Sequence, residues 1–146
     1  MLTDVFGKNL VSDKFNVCWI EPLWKMILSN KAILPVLWAL FPNHKNLLPA
    51  YFTRGDLKDY VKKPFLSREG TNITMVEDEK LIASSAGGYG AEGFIFQELC
   101  KLPDFNGNHP VIGSWIIGQQ PAGIGIRESN GLITDNLSRF VPHFIL

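Results

Sequence analysis

The sequence is poor in cysteine and has no excess of charge of either sign. Its two cysteines, Cys18 and Cys100, are far apart along 146 residues, so they predict buried free thiols and neither a disulfide framework nor a metal knuckle. Fourteen Lys and Arg residues balance fourteen Asp and Glu residues. The broad cationic surface that binds a nucleic-acid backbone is therefore missing, which argues against nucleic acid as a partner.

The chain also lacks a long apolar run. The longest one, residues 33–41, contains Pro35 and has about half the length that a membrane-spanning helix needs. The N-terminus has no basic segment followed by an apolar stretch, which a secretion signal would have. These absences predict a cytoplasmic protein without a membrane partner.

What the sequence does contain is enough apolar material for one core. With 46% hydrophobic and 12% aromatic residues, a single domain over residues 1–146 is expected. Helical spacing occurs early, at residues 23–30 and in a second helix that has Pro35 in its first turn and ends at Phe41. Strands are predicted at residues 15–20, 60–63, 73–76, 94–99, 111–118 and 122–127, a turn at Asn106-Gly107, and a loop or helix end at 47–52. This order predicts an α+β fold with a mainly antiparallel sheet.

Three segments in the middle of the chain together suggest a nucleotide site. They are a doubled lysine followed by Pro64 and a polar glycine loop, a glycine-rich tract at residues 86–93, and a strand end at residues 97–100. Neighbouring residues of a strand point to opposite faces, so only one of Lys62 and Lys63 can reach phosphate oxygens in a cleft. The backbone N–H groups of a glycine loop can bind the same phosphate oxygens. Two solvated lysines at a sheet edge and an ordinary flexible glycine loop remain the alternatives.

Residues 97–100 and Arg127 each allow two interpretations. Backbone groups of residues 97–100 can hold an adenine edge at a hinge between two lobes, or the segment is a strand that ends in a loop. Arg127 follows an alternating strand with two glycines. Its guanidinium there can bind phosphate or carboxylate, or else form a surface salt bridge with Glu128 or another acid. The three histidines are scattered along the chain, so no metal site is predicted.

Several short stretches carry a family resemblance. They are residues 21–24, residues 29–38, residues 41–44, Lys63-Pro64 with residues 68–73, Phe96-Gln97, and the strand that ends at Arg127. Through them the chain resembles the glutathionylspermidine synthase family, specifically the C-terminal part of its ATP-grasp synthetase domain. Lys31, within Asn-Lys-Ala-Ile-Leu-Pro, is the most specific match. The resemblance implies an ATP-grasp-like α+β fold, of which this chain is a partial domain.

The resemblance also implies an activity, that of an ATP-dependent carboxylate–amine ligase. In this family ATP phosphorylates the glycine carboxylate of glutathione, and an amine of a polyamine attacks the acyl phosphate. Lys31 and Lys63 match the lysines that hold the ATP phosphates, with Gly70 beside them, which favours Lys63 inward and Lys62 outward. Arg127 matches the arginine that stabilises negative charge during transfer, a step in which fixed positive charge does much of the work.

For the nucleobase, the resemblance assigns a hinge and one apolar contact. The hinge matches Gln97, Glu98, Leu99 and Cys100, and Leu132 matches a position near the base. In the hinge and the glycine tract the side chains are nearer to shorter synthase-like relatives than to the polyamine ligases.

The implied partners are small molecules. They are ATP with Mg²⁺, a glutathione-like acid and a polyamine-like amine. The magnesium ligands and most residues that bind glutathione are expected upstream of this chain, so the chain alone is expected to be an incomplete enzyme that needs the missing upstream half of the synthetase. The alternative is a non-catalytic nucleotide-binding or interaction fragment of such a synthetase.

Overall fold

A computed structural model describes residue 20 and residues 23–144, and it divides the chain into two compact units, Met1–Asn30 and Lys31–Leu146. In the first unit, a 3-10 helix spans Leu23–Ser29, where the sequence predicts a short helix. The Ser29 hydroxyl donates to the carbonyl oxygen of Met26 at 2.9 Å and closes the last turn. The strand predicted at residues 15–20 lies outside the described residues except for Ile20, and Cys18 lies outside them too.

The second unit begins with helix α1, Ile33–Leu40. Pro35 lies in its first turn, as predicted, because the ring of proline fixes a helical φ and an N–H is not needed there. The N–H of Lys31 donates to the carbonyl oxygen of Phe65 at 2.8 Å, and this hydrogen bond holds the residues before the helix next to Phe65. Among the described residues, no helix is long and apolar enough to cross a membrane.

A five-stranded sheet follows. Its strands are β1 (Ala50–Tyr51), β2 (Tyr60–Pro64), β3 (Thr74–Glu77), β4 (Lys80–Ser84) and β5 (Phe94–Glu98), in the spatial order β1-β5-β2-β3-β4. Each pairing is antiparallel. Strand β5 therefore lies between β1 and β2, with its backbone fixed on both sides.

A second sheet has three antiparallel strands in the order β6-β7-β8. They are β6 (His109–Ile117), β7 (Gln120–Ser129) and β8 (Arg139–Val141). The described residues contain a short α-helix and a 3-10 helix, and every pairing in both sheets is antiparallel, so the predicted α+β class with a mainly antiparallel sheet is confirmed.

The core lies on one face of the five-stranded sheet. Val61 of β2 is directly opposite Met75 of β3 and Gln97 of β5, so these three side chains share that face. Val61, Ile73 and Met75 form the buried cluster, and partly buried side chains pack on it: Ile82, Ala83, Leu99, Leu132 and Ile133. Leu132 and Ile133 come from the segment after β7, so this segment covers the sheet face.

Two strands differ from the sequence prediction. Strand β1 lies within residues 47–52, which were predicted as a loop or helix end; two residues are too few for an alternating pattern to show. Strand β4 was not predicted, because the turn before it is Asp78-Glu79, with φ of 46° and 61°. Such left-handed turns are normally signalled by Asn or Gly. By contrast, the turn predicted at Asn106-Gly107 is confirmed, with φ of 55° and 82°.

Candidate functional site

A cleft of about 310 Å³ opens over the core face of the five-stranded sheet. That volume is at the lower end of the range for small-molecule sites. Its floor and walls combine apolar sheet residues with charged loop residues: Val61, Ile73, Met75, Leu102, Leu132 and Ile133, then Lys31, Lys63, Ser67, Arg68, Glu69, Gly70, Cys100 and Thr134. The cleft thus brings together Lys31, Lys63, Gly70, Cys100 and Leu132, five of the residues that the family resemblance selects.

Lys63 and its neighbour Lys62 lie on opposite faces of β2. Lys63 lines the cleft, and its ammonium donates to Oε1 of Gln97 at 2.6 Å. Lys62 points to the other face, where its Nζ lies 4.1 Å from the centroid of the Phe94 ring. This is the orientation that the family resemblance favours.

Lys31 reaches the same cleft from the N-terminal side of α1. Its ammonium donates to both the carbonyl oxygen and the hydroxyl of Ser67, each at 2.9 Å. Ser67 belongs to the loop after β2, so Lys31 fixes that loop at the mouth of the cleft. Ser67 was not among the residues that the sequence selects, and a single serine in a polar loop carries no signal that distinguishes it.

The two ammonium groups are electrostatically linked. Burial lowers the pKa of Lys63, and the positive charge of Lys31 lowers it further. Burial also lowers the pKa of Lys31. Neither lysine forms a salt bridge with a carboxylate of the described residues. The cleft therefore holds two like charges at a cost that a bound anion would reduce.

Gly70 lies where the loop after β2 meets the segment after β7. A Cβ at Gly70 would be 2.6 Å from the carbonyl oxygen of Thr134 and 2.7 Å from Cγ2 of Ile133. Its φ of +68° follows a φ of +53° at Glu69, so the chain turns here in the left-handed region. Only a residue without a side chain fits undistorted where these two segments cross. Gly70, Ile133 and Thr134 all line the cleft at this crossing.

The predicted hinge contributes to the site unequally. Gln97 is buried and holds Lys63, whereas Glu98 is exposed. The N–H groups of Glu98 and Leu99 donate to the carbonyl oxygens of Pro49 and Asp59, at 2.8 and 3.2 Å. Leu99 packs on the core cluster. Two of the hinge donors are thus already used within the fold.

The remaining hinge residue, Cys100, lines the cleft. Its thiol is exposed, so the prediction of buried free thiols is wrong for this cysteine. The reason is its position just past the end of β5, where the chain leaves the sheet at the cleft mouth. Leu132 also lines the cleft and packs on the core cluster, so it belongs to the apolar wall.

Arg127 does not line the cleft with the lysines. It lies on β7, where its Nη2 donates to the carbonyl oxygen of Asp135 and its guanidinium carbon is 5.6 Å from the centroid of the Phe140 ring. The Nε atom is buried without a hydrogen-bond partner among the described residues. Among the described residues, no salt bridge joins Arg127 to Glu128. The salt bridge with Glu128 that the sequence offered as an alternative is therefore not formed.

The glycine-rich tract is packed against neighbouring side chains. A Cβ at Gly90 would lie 2.3 Å from Cζ of Phe94, and the side-chain amide of Asn72 donates to the carbonyl oxygen of Tyr89. The N–H of Phe65 donates to the carbonyl oxygen of Gly93 at 3.0 Å. None of residues 86–93 lines the cleft. Gly90 and Gly93 thus lie against Phe94 and Phe65, most of the tract is exposed, and it does not line the lysine cleft.

Within residues 20 and 23–144, no group of three or more His, Cys, Asp or Glu side chains is arranged to hold a metal ion. Glu69 is the carboxylate that lines the cleft, and it is exposed. Lys31 and Lys63 thus supply positive charge of the kind that binds an anionic group such as phosphate, and no cluster of carboxylates accompanies them among the described residues.

Together, the antiparallel sheets and the two-lysine cleft define a protein that can bind a small anionic molecule against a sheet face. Comparison with known proteins makes this specific. The family model described as "Glutathionylspermidine synthase preATP-grasp" matches residues 1–146, so the chain belongs to the glutathionylspermidine synthase family.

Individual relatives agree with this assignment. A putative acid–amine ligase of Haemophilus influenzae is 46% identical over 138 residues, which cover 88% of this chain and 35% of the relative. Trypanothione synthetase of Crithidia fasciculata is 35% identical over 129 residues, 86% of this chain and 20% of the relative. The bifunctional glutathionylspermidine synthetase/amidase of Escherichia coli is 34% identical over 130 residues, 86% of this chain and 21% of the relative. The chain therefore spans between a fifth and about a third of the length of these relatives.

Proposed function

We propose that this chain is the ATP-binding, C-terminal part of an ATP-dependent carboxylate–amine ligase that resembles glutathionylspermidine synthase. In the reaction, the γ-phosphoryl group of ATP passes to a carboxylate of a glutathione-like acid, which gives an acyl phosphate and ADP. A polyamine-like amine then attacks the acyl carbon, an amide bond forms and phosphate leaves. The names of the relatives, all ligases or synthetases, support this class of reaction.

The observation that carries the proposal is the pair of lysines in one cleft. Lys31 and Lys63 come from a helix start and a strand that are distant in sequence, and both ammonium groups are held by neutral oxygens. Holding like charges together is unfavourable unless an anion binds between or beside them. A chain of phosphate groups is the anion that the family resemblance supplies.

For the nucleobase, we propose the apolar end of the same cleft, between Leu132 and the chain after β5. The N–H groups of Glu98 and Leu99 are engaged by Pro49 and Asp59, so we assign the N–H of Cys100 as the hinge donor to adenine. Leu132 and Met75 offer apolar surface for the base. The side chain of Gln97 supports the phosphate end, through Lys63.

Arg127 is assigned to the transfer step and not to ground-state binding. It contacts the segment after β7, whose neighbouring residues Leu132 and Ile133 line the cleft. Mg²⁺ supplies charge neutralisation between phosphates in reactions of this type. Following the family resemblance, we assign the protein ligands of Mg²⁺ to another part of the synthetase.

Calorimetric titration of the purified chain with MgATP tests the proposal. Lys63→Ala should weaken binding by roughly tenfold or more, the loss of about 1.4 kcal/mol or greater expected for a charge-assisted phosphate contact. Lys62→Ala is the matched control, because it removes a neighbouring charge from the opposite face, and it should change the affinity by less than about threefold. A well-folded chain that binds no MgATP, or equal losses in both variants, would contradict the proposal.

A second candidate function is a non-catalytic nucleotide-binding or interaction module. It is favoured by the position of Arg127, which is not among the residues that line the lysine cleft. The two candidates differ when the chain is mixed with the upstream part of a family synthetase, glutathione, spermidine and MgATP. ADP and amide formed only in the mixture support the ligase, whereas nucleotide binding without product supports the module.

A further inference from the structure

We infer that the side chain of Gln97 is a positioning group, which holds the Lys63 ammonium in the cleft and leaves its positive charge available to an anion. This inference rests on the proposed function and extends it, because the resemblance gives Gln97 a place in the nucleobase hinge. In the fold its side chain acts at the other end of the ligand.

The geometry fixes the amide firmly. Gln97 lies on β5, directly opposite Ala50 on one side and Val61 on the other, so its backbone is held between two strands. It is 8% exposed. Lys63 is directly opposite Ile95, one pair further along the same face. The Gln97 side chain therefore reaches diagonally to Lys63, and Oε1 accepts from Nζ at 2.6 Å.

The amide group of Gln97 has the chemistry that this positioning of Lys63 requires. A carboxylate at position 97 would form an ion pair with Lys63 and cancel the charge that a phosphate needs. An apolar side chain would leave a buried ammonium without an acceptor, which disfavours its charged form. An amide oxygen accepts a hydrogen bond from the ammonium and adds no charge. Glutamine thus favours the charged form of Lys63 and leaves that charge uncompensated.

The other charged groups that line the cleft do not accept a hydrogen bond from the Lys63 ammonium. Lys31 and Arg68 are cations, and the Lys31 ammonium is committed to Ser67. Glu69 and Cys100 are the groups that can carry negative charge, and both are exposed. Neither accepts a hydrogen bond from Lys63, so among the described residues Gln97 is the side chain that accepts from its ammonium.

Two variants of similar size test the inference by the pH titration of the Lys63 ammonium, followed by NMR of nitrogen-15-labelled lysine. Gln97→Met removes the acceptor, so the pKa of Lys63 should fall below that of the wild-type chain. Gln97→Glu adds a negative partner, so the pKa should rise. A role in packing alone would leave the pKa of Lys63 unmoved in both variants, and that result would overturn the inference.

Binding of MgATP to the same variants gives a second readout. Both variants should bind more weakly near neutral pH, and Gln97→Glu should lose about tenfold because its carboxylate offsets a lysine charge. The pH at which affinity declines should move down in Gln97→Met and up in Gln97→Glu. Equal affinity in the wild-type chain and in Gln97→Glu would overturn the inference.

Controls separate this inference from the proposed function. Gln120→Glu, an exposed glutamine in β7, should leave the pKa of Lys63 and the affinity unchanged. If the wild-type chain binds no nucleotide and the pKa of Lys63 still moves in opposite directions, the ATP-binding proposal fails and the positioning of Lys63 by Gln97 stands. If MgATP binds and the pKa of Lys63 does not change in either variant, the ATP-binding proposal stands and the positioning of Lys63 by Gln97 fails. Circular dichroism checks folding, and Gln97→Glu decides the question if Gln97→Met does not fold.

Discussion

Gly70 and Thr134 cross so closely that a side chain at Gly70 would have its Cβ 2.6 Å from the carbonyl oxygen of Thr134. The crossing joins the loop after β2 to the segment after β7. On one side of it lies the lysine cleft. Ser85 strengthens the junction, because its hydroxyl donates to the carbonyl oxygen of Gly70. The cleft thus depends on a backbone contact as well as on its charged side chains.

We predict that Gly70→Ala lowers the free energy of unfolding more than Gly55→Ala does. Both glycines have positive φ, +68° and +52°, so both substitutions carry the cost of a left-handed alanine. A Cβ at Gly55 meets nothing within 4 Å, whereas one at Gly70 meets Thr134 and Ile133. The excess loss at Gly70 should be roughly 1–3 kcal/mol, the usual cost of overpacking. Denaturant unfolding measures it, and equal losses would show that the crossing is loose.

The fold class was predictable because the main strands carry their own local signals. The strands that contain Lys63, Gln97 and Arg127 appear as short β-branched and aromatic runs, and Asn106-Gly107 marks its turn. Strand β4 was missed because the Asp78-Glu79 turn adopts left-handed φ values without Asn or Gly. Its stability comes from pairing with β3, a contact that no local pattern expresses.

The site was predictable only in part, for a similar reason. Alternation along β2 separates Lys62 from Lys63, but it does not say which one faces the core; the family resemblance decided that. Neither the contact of Lys31 with Ser67 nor that of Lys63 with Gln97 follows from spacing, since each joins residues more than thirty positions apart. The role suggested for the glycine tract stays a prediction, because its residues do not line the lysine cleft and at least Gly90 and Gly93 lie against the aromatic rings of Phe94 and Phe65.

The lowered pKa of Lys63 predicts how stability changes at alkaline pH. The ordinary lysine value of 10.5 applies to the unfolded chain, and the folded value lies below it. Between these two values the unfolded chain binds more protons, so the free energy of unfolding should rise as pH rises through this window. Lys63→Met should remove this rise, and Lys62→Met should keep it. Denaturant unfolding at several pH values measures the difference between the variants, which contains the titration of Lys63 and its electrostatic coupling to Lys31, since most other groups are common to both.

A second electrostatic prediction concerns the coupling of the two cleft lysines. Lys31→Met removes a positive charge that lowers the pKa of Lys63, so the pKa of Lys63 should rise. Burial is unchanged by this substitution, and the pKa should therefore remain below the ordinary lysine value. NMR titration of the lysine ammonium groups measures the change. Lys62→Met is the control, and an unchanged pKa in Lys31→Met would mean that the two ammonium groups are too far apart, or too well solvated, to interact.

The turn that sequence analysis missed gives the last prediction. Glu79 has a φ of 61° in the turn between β3 and β4, and it is exposed. Glycine adopts this conformation without the steric cost that a Cβ brings. Glu79→Gly should therefore raise the free energy of unfolding by roughly 0.5–1 kcal/mol.

Glu92 provides the matched comparison for Glu79→Gly. It is an exposed turn residue of the same type, and its φ is not positive. Glu92→Gly should destabilise the chain, because glycine there only adds conformational freedom to the unfolded state. If the free energy of unfolding, measured with denaturant, rises in Glu79→Gly and falls in Glu92→Gly, the β3–β4 turn is left-handed in solution. A loss of stability in both would mean that the turn relaxes to another conformation, and the pairing of β4 with β3 would then rest on the core side chains Ile82 and Ala83 alone.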